Sequence, residues 1–414
     1  MNAPTLEQPS YPTNEFTLDN GLRVVVREDR RTPQVALTLS FASLGEERPE
    51  EFGIGGVLLD AMPYPQDHGD FIKESGAIHT RLGGSSSGSL TDRLLVPTKH
   101  LESALEFQAT LLTSELSDKS LRDTLNAYRL RDIDQSLFIS RAWYSPEIES
   151  LARVGTQYYR PPQAIAANRE RLSLDCIRRW RWSRYCPNNT YLAITGDVGI
   201  DEAKRLVEYH FANIPRGKLP FRHLAQVPPV PGYRRITQYL DTQSPDYALM
   251  IFIFNTKRAD ELDLLGYLLA DTPLPRLAAF EDKRSPIGSN FRADEAGNGL
   301  FAMSFYFEGE PHEAEENFWR FLDEVKSSPF SPEEVKSAIN ERCSSIQDRY
   351  NTLQDQSDAL SHFLVTGRPY QLIDDEVAKL RSITPEGVNL AANTNLTREN
   401  VTVVCALPIE TKPK

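Results

Sequence analysis

The sequence is poor in the residues from which compact catalytic and metal sites are built. Its four cysteines, Cys176, Cys186, Cys343 and Cys405, form no Cys-x-x-Cys pair and no metal-ligand spacing. This argues against a cysteine zinc centre or a disulfide framework and leaves buried, reduced thiols as the reading. The seven histidines, His68, His79, His100, His210, His223, His312 and His362, include no pair at i and i+4. No Gly-x-Ser-x-Gly elbow appears, Cys186 merely precedes Pro187 in a turn, and no Lys-Ser/Thr follows the Gly83–Gly88 run. A serine or cysteine nucleophile and a phosphate-binding loop are therefore not read. The opening residues MNAPTLEQPSYPTNE carry neither a basic start nor an apolar run, and no stretch approaches the ~20 apolar residues of a membrane span. The expectation is a soluble, cytoplasmic protein without a signal peptide. A formal net charge of −12 disfavours nucleic acid as a main partner.

What is present is ordered and repeated. Residues 16–29, FTLDNGLRVVVRED, place an Asn20-Gly21 turn between two β-prone runs, a hairpin signal. A strand over 34–43 follows, then a helix beginning near Gly53. Residues 100–113 set Leu101, Ala104, Leu105, Leu111 and Leu112 on one helical face, and Ser117 caps a long helix. A helix over Cys176–Tyr185, a Pro-Asn-Asn turn, the strand Thr190–Asp197 and a helix from Asp201 close the half. The second half runs in the same order: strands from Arg235 and Tyr247, a helix over Asp260–Leu269, a strand from Leu300 and a helix from Glu313. Ser331-Pro-Glu-Glu then mirrors the Ser117 cap, and a helix from Thr384 leads into the last strand. The chain is written as a duplicated α+β unit of about 200 residues. The expected organisation is a first domain over 14–217, a proline-rich linker over 218–232 and a homologous second domain over 233–410.

Several segments together resemble the insulinase and mitochondrial processing peptidase family of zinc metallopeptidases. They are Leu18-DNGLRVVVRED, Ala42-SLGEERPEEFGIGGVLLDAM, the passage from Trp180 through CPNNTYLAITGDVGIDEAKRLVEYHFANIP, and the Ser-Pro-Glu-Glu helix start at 331. The likeness runs from about residue 14 to 408. It implies two similar domains, each a mainly antiparallel sheet packed by helices, and a clamshell of two such chains around a peptide chamber.

In catalytic members of that family a helix carries His-x-x-Glu-His: two histidines one turn apart hold zinc, the glutamate polarises water, and a distant glutamate completes the ligands. Aligned on Gly53-Ile54, this chain has Gly56 and Asp60 at the histidine positions and Leu59 at the base. The third ligand falls on Tyr128 or Asp132, one helical turn apart. His68 and His79, near Asp67 and Asp70, form the densest alternative cluster, read as a solvated polar loop. The resemblance also implies an Arg and a Tyr in the second domain that help hold substrate. Here the Arg position reads Glu281 or Asp282 and the Tyr position Gly288 or Ser289, so the pair is read as lost. In catalytic relatives the strand after the metal helix pairs with extended substrate. Its equivalent is Ile78-HTRLGGSSSGSL, where Leu82, Gly83, Gly84 and Ser85 are the candidate substrate-binding residues, although a plain loop is the favoured reading.

The resemblance thus implies a chain with no catalytic residues and no cofactor of its own. It would be the inactive half of a heterodimer whose partner brings His-x-x-Glu-His and zinc, processing short, leader or precursor peptides. The alternatives are a structural or peptide-binding scaffold, akin to respiratory-complex core proteins or a chaperone, and a peptidase with replacement ligands.

Overall fold

In this computed structural model, residues 11–42, 51, 53–62, 68–84, 89–135, 162–219, 232–240, 248–257, 259–270, 288–293 and 298–408 are described. Chain contacts gather them into two compact units, one within residues 1–130, 164–223 and 345–376, the other within 131–163, 224–344 and 377–414.

The elements run β1 (Thr13–Thr17), β2 (Arg23–Glu28), β3 (Gln34–Phe41), α1 (Ile54–Ala61), α2 (His68–Ser75), β4 (Ile78–Gly84) and β5 (Ser89–Pro97). Then come α3 (Leu101–Thr113), α4 (Asp118–Gln135), α5 (Pro162–Arg169), α6 (Leu174–Arg184), β6 (Thr190–Gly196) and α7 (Ile200–Phe211). The second half supplies β7 (Arg234–Leu240), β8 (Ala248–Lys257), α8 (Asp260–Ala270), β9 (Gly288–Ala293) and β10 (Asn298–Phe307). It continues with α9 (Pro311–Ser327), α10 (Pro332–Arg349), α11 (Leu353–Val365), α12 (Leu372–Arg381), α13 (Pro385–Asn395) and β11 (Val401–Pro408).

The first sheet has the order β1-β2-β6-β3-β5-β4 and the second β7-β11-β8-β10-β9. Each is antiparallel except for one parallel pair, β2 with β6 and β7 with β11. The repeat read in the sequence is therefore a repeat of topology. The Asn20-Gly21 turn forms as expected: Gly21 takes φ 93°, and a Cβ there would lie 2.5 Å from that of Asn188. Buried Asn20 turns back to donate to Phe211 O and Ile214 O at 2.7 and 3.0 Å, satisfying carbonyls at the end of α7.

One face of the first sheet, through Val24, Val26, Leu37, Leu39, Leu94 and Ile194, packs on the aliphatic sides of α1, α3, α4, α6 and α7. The other face receives α11, whose Leu360, Phe363 and Leu364 cover Val25 and Ala193. Hydrogen bonds fix that helix. Asp358 accepts from Thr38 Oγ1 at 2.8 Å and pairs with Arg93 at 2.9 Å, and Ser361 Oγ donates to Ser40 Oγ at 2.7 Å. Arg27 pairs with Asp374 at 2.7 Å and donates to Gln356, which in turn donates to the fully buried Asp29. The second sheet is built on Phe252, Phe305 and Phe318, stacked with centroids 3.8 to 6.2 Å apart, and on Trp319 set edge-on to Phe252.

Residues 345–376, encoded in the second half, thus belong to the first unit. With Ser117 laid on Ser331, the break after Leu130 corresponds to the break after Ser344. The assignment changes at equivalent points of the two repeats.

Residues 78–84 are a strand and not the plain loop favoured from the sequence. β4 pairs antiparallel with β5 along its whole length, from Ile78 opposite Leu95 to Gly84 opposite Ser89. Pairing to an established neighbour outweighs the weak strand preference of its glycines. The polar-loop reading of the histidines is corrected likewise, since His68 opens α2 and His79 lies within β4.

Candidate functional site

α1 begins after Gly53, which takes the left-handed conformation at φ 89°, and ends where Met62 N–H donates to Leu58 O at 2.8 Å. Ile54, Val57, Leu58 and Ala61 bury its core side. Gly56 is buried and Asp60 exposed, while Leu59 lies between them on the same helix. The space above Gly56 is already taken: a Cβ there would be 3.2 Å from Tyr128 Oη and 3.5 Å from an Arg169 guanidinium nitrogen. Tyr128 comes from α4 and is 5% exposed; Arg169 ends α5, is 7% exposed and lies over the Tyr128 ring at 4.4 Å. Arg129 holds the end of α5 by donating to Arg169 O and Glu170 O, both at 3.0 Å, and Ser120 Oγ donates to Ala61 O at 3.3 Å. The cation–π pair and the Arg129 bonds thus join α4 to α5, and the helix carrying the aligned metal positions is tied to α4 by the Ser120 bond and packs with Gly56 against Tyr128 and Arg169.

Zinc does not fit this arrangement. Gly56 offers no ligand, and a permanently charged guanidinium stands within 3.5 Å of where its side chain would start. Among the described residues no group of three or more His, Cys, Asp or Glu is placed to hold a metal ion. Of the two candidate third-ligand positions, Tyr128 faces Gly56, and Asp132 lies one turn further along α4. Burial pushes the Cys186 thiol up to about 11, so at neutral pH it holds its proton and is no nucleophile.

β4 is built differently. It is the outermost strand of its sheet, and its side chains alternate. His79 and Arg81 point inward, 4% and 6% exposed, onto the fully buried carboxylate of Asp92 on β5. His79 Nε2 lies 2.8 Å and Arg81 Nε 3.4 Å from the same Asp92 oxygen. Gln108 of α3 donates to Asp92 O and Oδ1 at 3.1 and 3.2 Å. Phe107 meets the His79 ring edge-on at 5.3 Å. Arg81 also donates to Met62 O at 3.0 Å, tying the strand to the end of α1. The outward row is Ile78, Thr80 and Leu82, all exposed.

Of the sequence candidates, Leu82, Gly83 and Gly84 lie on β4, with the two glycines opposite Leu90 and Ser89. Ser85 lies outside the described residues. In the second unit Gly288 and Ser289 open β9, whereas Glu281 and Asp282 lie outside the described residues. The sequence reading missed Arg169 and the Asp92 node. Arg169 carried no signal, being one arginine at the end of a short helix. Asp92 could have been found from Asp92-Arg93 standing between Leu90 and the apolar run Leu94-Leu95-Val96 of one strand.

This geometry holds no ligand set and no general base at the aligned positions. Among the described residues β4 has a strand neighbour, β5, on one side only.

The profile of the family described as Peptidase M16 inactive domain matches residues 171–342. No curated protein matches the chain by sequence. Among solved structures the chain is similar to a protease from Helicobacter pylori, with TM-score 0.79 and 16% identity over 96% of this chain and 100% of that one. It is similar to a peptidase M16 inactive domain from Pseudomonas fluorescens, with TM-score 0.75 and 17% identity over 96% and 98%. It is also similar to a chain of complex III2 from Candida albicans, with TM-score 0.73 and 12% identity over 96% of both. At these identities the likeness establishes the shared fold.

Proposed function

We propose that this chain, which has the M16 peptidase fold and whose residues 171–342 belong to the M16 inactive-domain family, is the non-catalytic subunit of a two-chain zinc peptidase. One observation carries the reading. The space above Gly56, one of the aligned metal positions, is taken by Tyr128 and Arg169, while β4 is the outermost strand of its sheet among the described residues and is anchored through Asp92. A protein relieved of cleavage but still used to hold peptide would keep that combination. The partner brings His-x-x-Glu-His and zinc, and this chain closes the chamber and presents β4 to the extended peptide. The substrate class is a short peptide, a leader or a precursor, including precursors of peptide natural products, and the compartment is the cytoplasm. Leu82, Gly83, Gly84 and Ser85 are the segment assigned to substrate contact.

The test is to tag the chain in its host, recover it gently and identify what accompanies it. A stoichiometric relative bearing His-x-x-Glu-His, whose peptide cleavage rises when this chain is added back, supports the reading. Recovery of the chain alone, or with unrelated membrane subunits, overturns it. The latter outcome favours a second reading as a scaffold without protease function, for which the likeness to the complex III2 chain is the motive. Among the described residues no helix is long and apolar enough to cross a membrane.

A further inference from the structure

The outward row of β4 carries chemistry of its own. Ile78 is 64% exposed and Leu82 42%, with exposed Thr80 between them, in a strand whose inward residues are buried. Large aliphatic side chains on an outermost strand are normally blunted by charge, because such an edge invites pairing. Here the blunting is absent from the outward row, and the strand's His79 and Arg81 point inward onto Asp92. The row behind it on β5 continues the pattern. Leu95 lies opposite Ile78 and Thr91 opposite Leu82, while Arg93, opposite Thr80, has its charge taken up by Asp358 at 2.9 Å.

A peptide added alongside β4 sets alternate side chains on this same face, about 5 Å from Ile78, Thr80 and Leu82. We infer that Ile78 and Leu82 are specificity determinants, selecting extended peptides with aliphatic residues two apart on either side of a small or polar one. Charged side chains at the two flanking positions are rejected, because they would lose water against Ile78 and Leu82 with no opposite charge in the row to pair with. The backbone ladder supplies sequence-independent affinity, and the row supplies the choice. This inference rests on the reading of β4 as the peptide-holding edge.

The experiment uses the full chain and fluorescently labelled synthetic peptides, read by anisotropy. One peptide alternates Val with Thr, a second replaces the two flanking Val residues with Glu, and a third is the first with N-methylated backbone amides. The Val peptide should bind about tenfold more tightly than the Glu peptide, from two cross-strand pairs of about 0.7 kcal/mol each. The double variant Ile78→Lys/Leu82→Lys should reverse the preference, a result that mere loss of folding cannot give. Equal binding of the Val and Glu peptides, or an unchanged preference in the lysine variant, overturns the inference while leaving β4 as a docking edge. If the N-methylated peptide binds as well as its parent, or no peptide binds, the reading of β4 itself fails and the inference with it.

Discussion

α1 and β4 are neighbours, joined by the Arg81 bond to Met62 O, yet they differ in what has been kept. On α1 the positions aligned with metal ligands carry Gly56 and Asp60, and the room above Gly56 belongs to Tyr128 and Arg169. On β4 the buried side is a converging set of polar groups, with His79 and Arg81, joined by Gln108 of α3, all reaching one carboxylate. A buried carboxylate is costly unless its lone pairs are satisfied, so a site of this kind persists only when all its members do. The difference teaches that chemistry and presentation separate physically. Filling one space by a stacked cation leaves the strand beside it fully supported.

The sharpest way to break the comparison is to remove the support. Asp92→Ala leaves Arg81 and His79 without their buried carboxylate and should destabilise the first unit by about 3 kcal/mol. Urea denaturation reads the loss, and hydrogen exchange should locate it in β4 before the rest of the sheet. Uniform loss of protection across the unit would mean that the node serves the core at large and not the edge.

A second test tries to restore α1. Gly56→His with Leu59→Glu and Asp60→His rewrites the motif, but the new side chain meets Tyr128 at 3.2 Å from its first carbon. The triple variant should lose about 2 kcal/mol by overpacking and retain no zinc after dialysis against a weak chelator. Adding Arg169→Ala should recover part of the stability. Stoichiometric zinc in the triple variant would show that the space can be reopened without moving the arginine.

The smallest effect concerns a carboxylate remote from both regions, which serves as the control. Burial pushes the Asp29 carboxyl up, but the hydrogen bonds from Arg31 and Gln356 outweigh it, and the group sits below its ordinary value of 3.8. A lowered value means that its charge supplies stability above pH 3.8, and that this stability is lost as pH falls through the folded-state value. Asp29→Asn should therefore flatten the fall in stability below about pH 4 by under 1 kcal/mol, measured by urea titrations across acid pH, and leave peptide binding untouched.

Much of the fold was legible because duplicated turns and caps repeat in order: the Asn20-Gly21 turn, the Ser117 and Ser331 helix starts and the two closing strands all stand where the pattern puts them. The assignment of Gly56, Leu59 and Asp60 to the metal positions rests on the fixed spacing of the family motif, and the structure adds that the space above Gly56 is occupied. β4 was not. Its alternation is written in His79 and Arg81 on the buried side and in Ile78 and Leu82 on the exposed side, the reverse of the pattern that marks a half-buried strand. Nor was the attachment of α11 legible. Its Leu360, Phe363 and Leu364 stripe declares that the helix packs, but nothing in a helical period says on which sheet.

That attachment bears on how the protein is made. Thr38 bonds to Asp358 and Ser40 to Ser361 across sequence separations of 320 and 321 residues. While the chain leaves the ribosome, the first sheet emerges early and stays bare on one face until α11 follows. At elongation rates of about 5–20 residues per second, that wait is on the order of tens of seconds. Throughout it, Val25 and Ala193 lack their cover, and Thr38, Ser40 and Arg93 lack their partners. Nascent-chain length, more than local propensity, sets when the first unit can complete itself.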